Sequence, residues 1–510
     1  MPKVIYTSFF NKNIPPVIKI LNKNFLWKPE VIIAAGRFKN MALQNFPESF
    51  HIDASDLRCA HFDYSKFEKK FPIDDAILKK LSYYESNFIN WIEDTNGRNF
   101  SSSERRRFYY ELLMYWNTVI NNFKPDILLS FSWPHTVSDY ALYLICKHVY
   151  SIPVIFLDVI PFFNTKNRLV YLSYDNMSET IQKKNINSDT FSIDPIVENY
   201  INKLRKKENP FVHSFILDFF KDNKINYKRI FRDFLNLTKL FLTLKINKKA
   251  EIFFKKNKKP FGKESQMSHL DYFIFKYKTM FKNLKLKKLY KSISEPVDYN
   301  QSYIYYPGPY IPEAMSNIVP GKFEDPFLIL DMLSSSLPKD WKVYYKEHPA
   351  TFAAGSKGSL GKDKYFYEKL QSYKFVKIVP HNENTFKLTD NSKAVMTAGG
   401  TAGWEALVRG KPCLLFGSLW YQDCSEVFKI EKFGDLNQSI EKIKNGFLPN
   451  LNNIKKFTQS LYLSLLENGE LINSKIAEIK KEGEFDKELI NLAKDINKIY
   501  IKFYNKSEKK

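Results

Sequence analysis

Residues 394–421 read AVMTAGGTAGWEALVRGKPCLLFGSLWY. An apolar run, Ala394-Val-Met396, enters a turn holding three glycines and two threonines, Thr397-Ala-Gly-Gly-Thr-Ala-Gly403. A short amphipathic segment follows, then Gly410-Lys411-Pro412, then a second apolar run. This order predicts a strand, a tight turn, a helix and another strand, the repeating unit of a parallel α/β sheet. Glycine admits positive φ and close backbone approach. A helix N-terminus adds free N–H groups and a positive dipole end. The turn therefore has the size and polarity to cradle a phosphate. Gly399 and Gly400 would offer backbone donors, and Thr397 and Thr401 hydroxyls. Glu405, one turn into the helix, either accepts from ribose hydroxyls or complements the first helical turn.

The same alternation precedes this stretch. Residues 302–306 (SYIYY) read as a strand, broken by Pro307-Gly308-Pro309 into a loop that reaches Ser316. A helix is expected over 326–335, a strand over 341–345, another over 375–379, and a short helix over 384–389. The 341–345 strand ends in Lys346-Glu347-His348-Pro349. Loops that follow the strands of a parallel sheet share one edge. The loops 307–316, 346–349 and 397–403 are therefore expected to converge on one cleft. There an imidazole can donate to a phosphate oxygen, and Lys346 adds charge. Pro349 stiffens the exit from His348. Glu313 places a carboxylate in the same loop set; it is a nucleophile or general base, or else a helix-start acid. Asp325 is a weaker rival. No His/Cys cluster or paired-carboxylate motif points to a metal, and none is expected.

The first half repeats the pattern. Residues 31–35 (VIIAA) form a short buried-strand candidate ending at Gly36-Arg37. Residues 75–122 read as helical, and the run Glu104-Arg-Arg-Arg107 within them is a solvated face or an anion patch. A strand at 124–131, a helix at 133–149 and a strand at 152–157 make a βαβ unit with a right-handed crossover. His135 falls at the ligand-facing end of that unit. It is a general base or an acceptor-binding residue, or simply a cap or surface residue. The loop 132–139 is the expected acceptor contact.

The chain has 510 residues and a formal charge of +23, which points to anionic partners. Residues 201–300 hold 25 Lys and Arg against 9 Asp and Glu, so most of the surplus is concentrated there. Apolar and basic residues interleave, as in YFIFKYKTMFKNLKLKKLYK. That pattern suits basic amphipathic helices on anionic lipid, or a helical insertion with a solvated basic face. No helix-turn-helix, RNA-recognition or zinc-finger signature accompanies it, so nucleic acid is not an expected partner. No apolar run reaches 18 residues, and MPKVIYTSFF lacks a signal-peptide core. The four cysteines are scattered. A cytoplasmic protein, peripheral at the inner face of the membrane, is the expectation. The domains are expected at 1–200, 201–297 (the basic insertion), 298–435 and 436–510 (helices).

Tyr305-Tyr-Pro307, Tyr310-Ile-Pro-Glu-Ala-Met-Ser316, Lys346-Glu-His-Pro349, the stretch from Thr397 to Leu407, Gly410-Lys-Pro412, Gly417 and Tyr421 together resemble the capsule polysaccharide biosynthesis family. That family includes bacterial Kdo transferases with two Rossmann-like domains. The resemblance covers about residues 300–425, fits 124–157 loosely, and has no counterpart for 201–300. It implies an α/β fold of two Rossmann-like domains facing each other (GT-B type), with a basic helical insertion and a helical C-terminal tail. It implies a CMP-linked donor, with His348 and Pro349 at the cytidine phosphate and the 397–405 turn beside it. Glu313 stands where such transferases carry a catalytic Asp, and Gly400-Thr401 replaces their usual Ser-Thr. The implied function is a glycosyltransferase of capsule or lipopolysaccharide synthesis. It would move Kdo or a related ulosonic acid to a glycan or glycolipid acceptor. The alternatives are use of another nucleotide sugar, a nucleotide-sugar epimerase, or a non-catalytic membrane- or polysaccharide-binding assembly protein.

Overall fold

The computed structural model describes residues 1–58, 60–94, 101–134, 136–159, 168–173, 177, 192–206, 231, 232, 234–236, 238, 239, 269–311, 314–353, 356, 358–466, 469–472 and 485–507. The chain divides into two compact units. The first is Met1–Ile89, Ser101–Tyr200 and Lys455–Lys510; the second is Asn90–Phe100 and Ile201–Ile454.

The first unit is built on six strands: β1 (Lys3–Phe9), β2 (Lys28–Ala34), β3 (Phe50–Asp53), β4 (Ile127–Ser130), β5 (Val154–Val159) and β6 (Arg168–Tyr171). Their order is β3-β2-β1-β4-β5-β6. All pairs are parallel except β5 with β6. Val4, Ile5 and Tyr6 of β1 are fully buried, as a central strand covered on both faces requires. The expected helix after β4 begins at Val137, capped by the Thr136 hydroxyl, which accepts from the Asp139 N–H. The chain returns to this unit at its end. Leu492, Ala493 and Ile496 of the helix Phe485–Ser507 share a core with Ile14, Val17 and Leu21 of the helix Ile14–Phe25. The Trp27 indole N–H donates to Asn497 Oδ1 at 3.0 Å, which fixes the register of that packing.

The second unit holds β7 (Tyr303–Pro307), β8 (Lys342–Lys346), β9 (Val376–Ile378), β10 (Ala394–Thr397), β11 (Cys413–Leu415) and β12 (Val427–Lys429). They are all parallel, in the order β12-β11-β10-β7-β8-β9. Read from the other edge, this is the strand sequence of the first sheet. It is also the doubly wound order, in which the crossovers reverse direction between the first and fourth strands. In this unit that switch point lies between β7 and β10.

The basic stretch is only partly described. Residues 207–230 and 240–268 lie outside the described residues. The part that is described ends in the helix His269–Ile293, which is built into the second unit. Leu286 and Tyr290 belong to that unit's core, and Asn283 Nδ2 donates to the carbonyls of Ala353 and Ser356, each at 2.9 Å. The helical tail divides: Phe433–Lys444 packs on the second sheet through Leu436, Ile440 and Ile443, whereas Phe485–Ser507 packs in the first unit.

Candidate functional site

The C-terminal ends of β7 and β10 border a cleft lined by Tyr306, Pro307, Pro309, Ser316, Pro320, Phe323, Glu324, Thr397, Ala398 and Gly399. This is the switch-point crevice, where open α/β sheets bind their ligands. Two of the three expected loops, 307–316 and 397–403, therefore meet in it.

The turn after β10 is shaped by what packs behind it. Gly400 has φ +116°, a conformation that side-chain-bearing residues rarely adopt, and its carbonyl accepts from the Tyr421 hydroxyl at 2.8 Å. The loop after β11 presses against the same turn. A Cβ on Gly417 would stand 1.7 Å from the Ala398 carbonyl oxygen. Lys429 holds that loop, donating to the carbonyls of Phe416 at 3.2 Å and Gly417 at 2.5 Å. The Thr397 side chain is buried, and its hydroxyl donates to the Gly399 carbonyl at 3.0 Å. Its hydroxyl hydrogen is thus engaged inside the turn. Thr401 leads into the helix Ala402–Val408 without a side-chain cap. Its hydroxyl donates to Glu405 Oε1 at 3.1 Å, so these two candidates interact directly.

The loop after β8 is organised by a residue that sequence reasoning treated only as context. Glu347 is fully buried. Its Oε1 receives Lys362 Nζ at 2.6 Å, the Thr351 hydroxyl at 3.0 Å and the His348 N–H at 2.7 Å. Its Oε2 receives the hydroxyls of Tyr367 at 2.7 Å and Tyr345 at 3.1 Å. Burial alone would raise the Glu347 carboxyl; the Lys362 ammonium and these donors bring it below the usual carboxylate value. Lys362 also donates to the Pro309 carbonyl at 2.6 Å and to the Tyr345 hydroxyl at 3.2 Å. The pair thereby ties the loop after β7 to the loop after β8.

His348 projects from this frame. Its Nδ1 accepts from the Ala350 N–H at 3.2 Å, capping the 3-10 turn Pro349–Phe352. An accepting Nδ1 carries no proton, so the ring hydrogen is on Nε2. Burial pushes the imidazole down to about 4, which keeps it neutral at neutral pH. The ring lies 5.5 Å from that of Tyr310, in the loop after β7. Pro349 occupies the first position of the turn, where its missing N–H has no partner to lose. Lys346 is also buried. Its Nζ donates to the Thr385 hydroxyl at 2.9 Å, and burial brings the ammonium down to about 8 despite Glu383 and Glu347.

Two candidates, Glu313 and His135, lie outside the described residues. Asp325 is a helix cap: its Oδ1 accepts from the Phe327 N–H at 2.9 Å. Glu324, next to it, lines the cleft and was not singled out. The role of Lys362 was also missed. Within Lys357-Gly-Ser-Leu-Gly-Lys362-Asp-Lys364 it reads as one solvated lysine among three. Among the described residues, no group of three or more His, Cys, Asp or Glu could hold a metal ion. Also among them, no helix is long and apolar enough to cross a membrane.

The chain is similar in structure to the UDP-GlcNAc 2-epimerase of Methanocaldococcus jannaschii, with 14% identity over 90% of this chain and 99% of that one and a TM-score of 0.24. It is also similar to two solved structures of Thermosulfurimonas dismutans KpsC. The β-Kdo 2,7 transferase shows 17% identity over 34% of this chain and 58% of that one, TM-score 0.21. The β-Kdo 2,4 transferase shows 15% identity over 36% and 55%, TM-score 0.23. The matches to KpsC thus span little more than half of those chains. No curated protein sequence matches. Residues 320–424 match the family described as capsule polysaccharide biosynthesis protein. They include β8, β10, β11, the His348-Pro349 turn and the Gly417 contact, so the site just described lies largely within the stretch that matches the capsule polysaccharide biosynthesis family.

Proposed function

We propose that the protein is a glycosyltransferase of surface polysaccharide synthesis, taking Kdo or a related ulosonic acid from a CMP-sugar to a glycan or glycolipid at an anionic membrane. The observation that carries this reading is the polar turn after β10 at the switch-point cleft, with the neutral His348 imidazole on the adjoining loop frame. A CMP leaving group needs hydrogen-bond donors aimed at its phosphate. The Nε2–H of His348 is one. Backbone N–H groups of the 399–401 turn are others, and Thr401 exchanges its bond to Glu405 for a ligand contact. Lys346 places a partly neutralised ammonium behind the same loop and lends positive charge below about pH 8. In this reading Glu313 is the nucleophile or general base, and His135 with the 132–139 loop helps to hold the acceptor. The reaction needs no resident metal in this scheme, because donors and helix-end dipole neutralise the departing phosphate.

A thermal-shift panel tests the reading. CMP is expected to raise the melting temperature, whereas UDP and GDP leave it unchanged. In the same panel, Glu313→Gln should keep the CMP shift and lose transfer from CMP-Kdo. Stabilisation by UDP alone would redirect the reading to an epimerase or a UDP-sugar enzyme. No response to any nucleotide would favour a non-catalytic assembly protein.

A further inference from the structure

The helix His269–Ile293 has two unlike faces. Asn283, Leu286 and Tyr290 are buried in the second unit. At 3.6 residues per turn, Ile274, Lys278, Phe281, Lys285 and Lys288 fall on the opposite line, and all five are exposed. Ile274 and Phe281 keep 52% and 49% of their surface in solvent. Ile274 opens that line and Phe281 is at its middle, with Lys278 between them, Lys285 and Lys288 beyond Phe281, and Lys282 at the border. The helix carries seven lysines and a single acid, Asp271. Lys278, Lys282, Lys285 and Lys288 form no ion pair among the described residues.

One exposed apolar side chain on a surface helix needs no explanation. Two large ones in line, with Lys278 between them and Lys285 and Lys288 beyond Phe281, give the outward face of the helix both an apolar and a cationic component. On an interfacial helix the apolar side chains enter the headgroup–acyl boundary, and the lysine stems extend so that their ammoniums reach the phosphates. Upstream in the basic stretch, Phe231, Phe234 and Leu235 are likewise exposed beside Arg232. We propose that the Ile274–Phe281 line and its flanking lysines dock the second unit on an anionic phospholipid surface. The opposite side of the helix holds the Ala353 and Ser356 carbonyls through Asn283, and the Val379 carbonyl through Tyr290 at 2.8 Å. Docking therefore fixes the frame of the His348 turn relative to the membrane. Ile274 offers nothing to a stacked base, which favours lipid over nucleic acid.

The inference rests on the membrane-peripheral part of the proposed function and is independent of its donor chemistry. The test is cosedimentation of the full chain with phosphatidylcholine vesicles and with mixed phosphatidylcholine–phosphatidylglycerol vesicles. Binding is expected to the mixed vesicles only, and to weaken with salt. Each Lys→Gln change in the line should weaken partitioning about fivefold. Ile274→Ser with Phe281→Ser should weaken it about tenfold or more. Melting temperature and the CMP shift should stay as in the wild type. The inference is overturned if wild-type protein ignores the mixed vesicles, if the variants bind as the wild type does, or if RNA displaces the vesicles. A retained CMP shift in any of those cases leaves the donor reading standing, whereas a lost CMP shift with intact vesicle binding overturns only the donor reading.

Discussion

At the scale of single residues, His348 performs two tasks with two nitrogens. Nδ1 caps the Pro349–Phe352 turn, and Nε2–H is left to donate. The tasks can be separated. Asparagine is a strong cap and its Oδ1 can take over the Ala350 N–H, so His348→Asn should unfold at the same denaturant concentration as wild type. His348→Ala should cost about 1 kcal/mol, the usual loss of a cap. Both should lose most of the CMP-induced thermal shift, because neither has the ring donor or the contact with Tyr310. A full CMP shift in His348→Asn would remove His348 from the donor site. The sequence pointed to this residue because a strand ends just before it and a proline follows. Its tautomer was not legible, because that is set by the Ala350 N–H and by burial, both products of folding.

At the scale of elements, the loop after β8 depends on one buried pair. Lys362 comes from a loop 15 residues beyond Glu347, and their side chains are both fully buried. Replacing Lys362 with Met leaves the Glu347 carboxylate without a cation in the core. The expected loss is about 3–5 kcal/mol. Adding Glu347→Gln should recover a large part of it, since an amide needs no counter-charge. Denaturant midpoints of the second unit check this. Equal losses in the single and double variants would mean that the pair does not act as a unit. Local pattern could not reveal this pair, because a lysine in a Gly/Ser-rich segment carries no mark of burial. By contrast, β8, β10 and β11 were readable from apolar runs with turn residues at their ends. β1 was not picked out, although Val4, Ile5 and Tyr6 make it the centre of its sheet. The half-buried edge strand β12 has a short, mixed sequence with no period to read. The pairing of β6 with β5 is antiparallel, which βα alternation does not predict.

At the scale of the molecule, the alternation of strands and helices announced two α/β sheets, and both have the doubly wound strand order. The return of Phe485–Ser507 to the first unit could not be read. An amphipathic helix shows that it has a buried face, not which core receives it. Charge sets a global property of the second unit. His348 and His381 are both pushed down to about 4 from an ordinary value of 6.5, chiefly by burial. Between those two values the unfolded chain binds more protons than the folded one. Folding stability therefore falls as pH drops below about 6.5 and keeps falling until about 4, where the folded histidines also protonate. Glu347 adds to the acid loss at the lower end. Its carboxyl is held below the usual value, so its contribution is present above that value and lost as pH falls through the folded one. Urea midpoints measured near pH 7 and near pH 5 should thus differ, the lower pH giving the lower midpoint. In the double variant His348→Asn with His381→Asn that difference should shrink, because neither replacement titrates in this range. A wild-type midpoint that stays level between these pH values would show that the two rings are not held neutral by the fold.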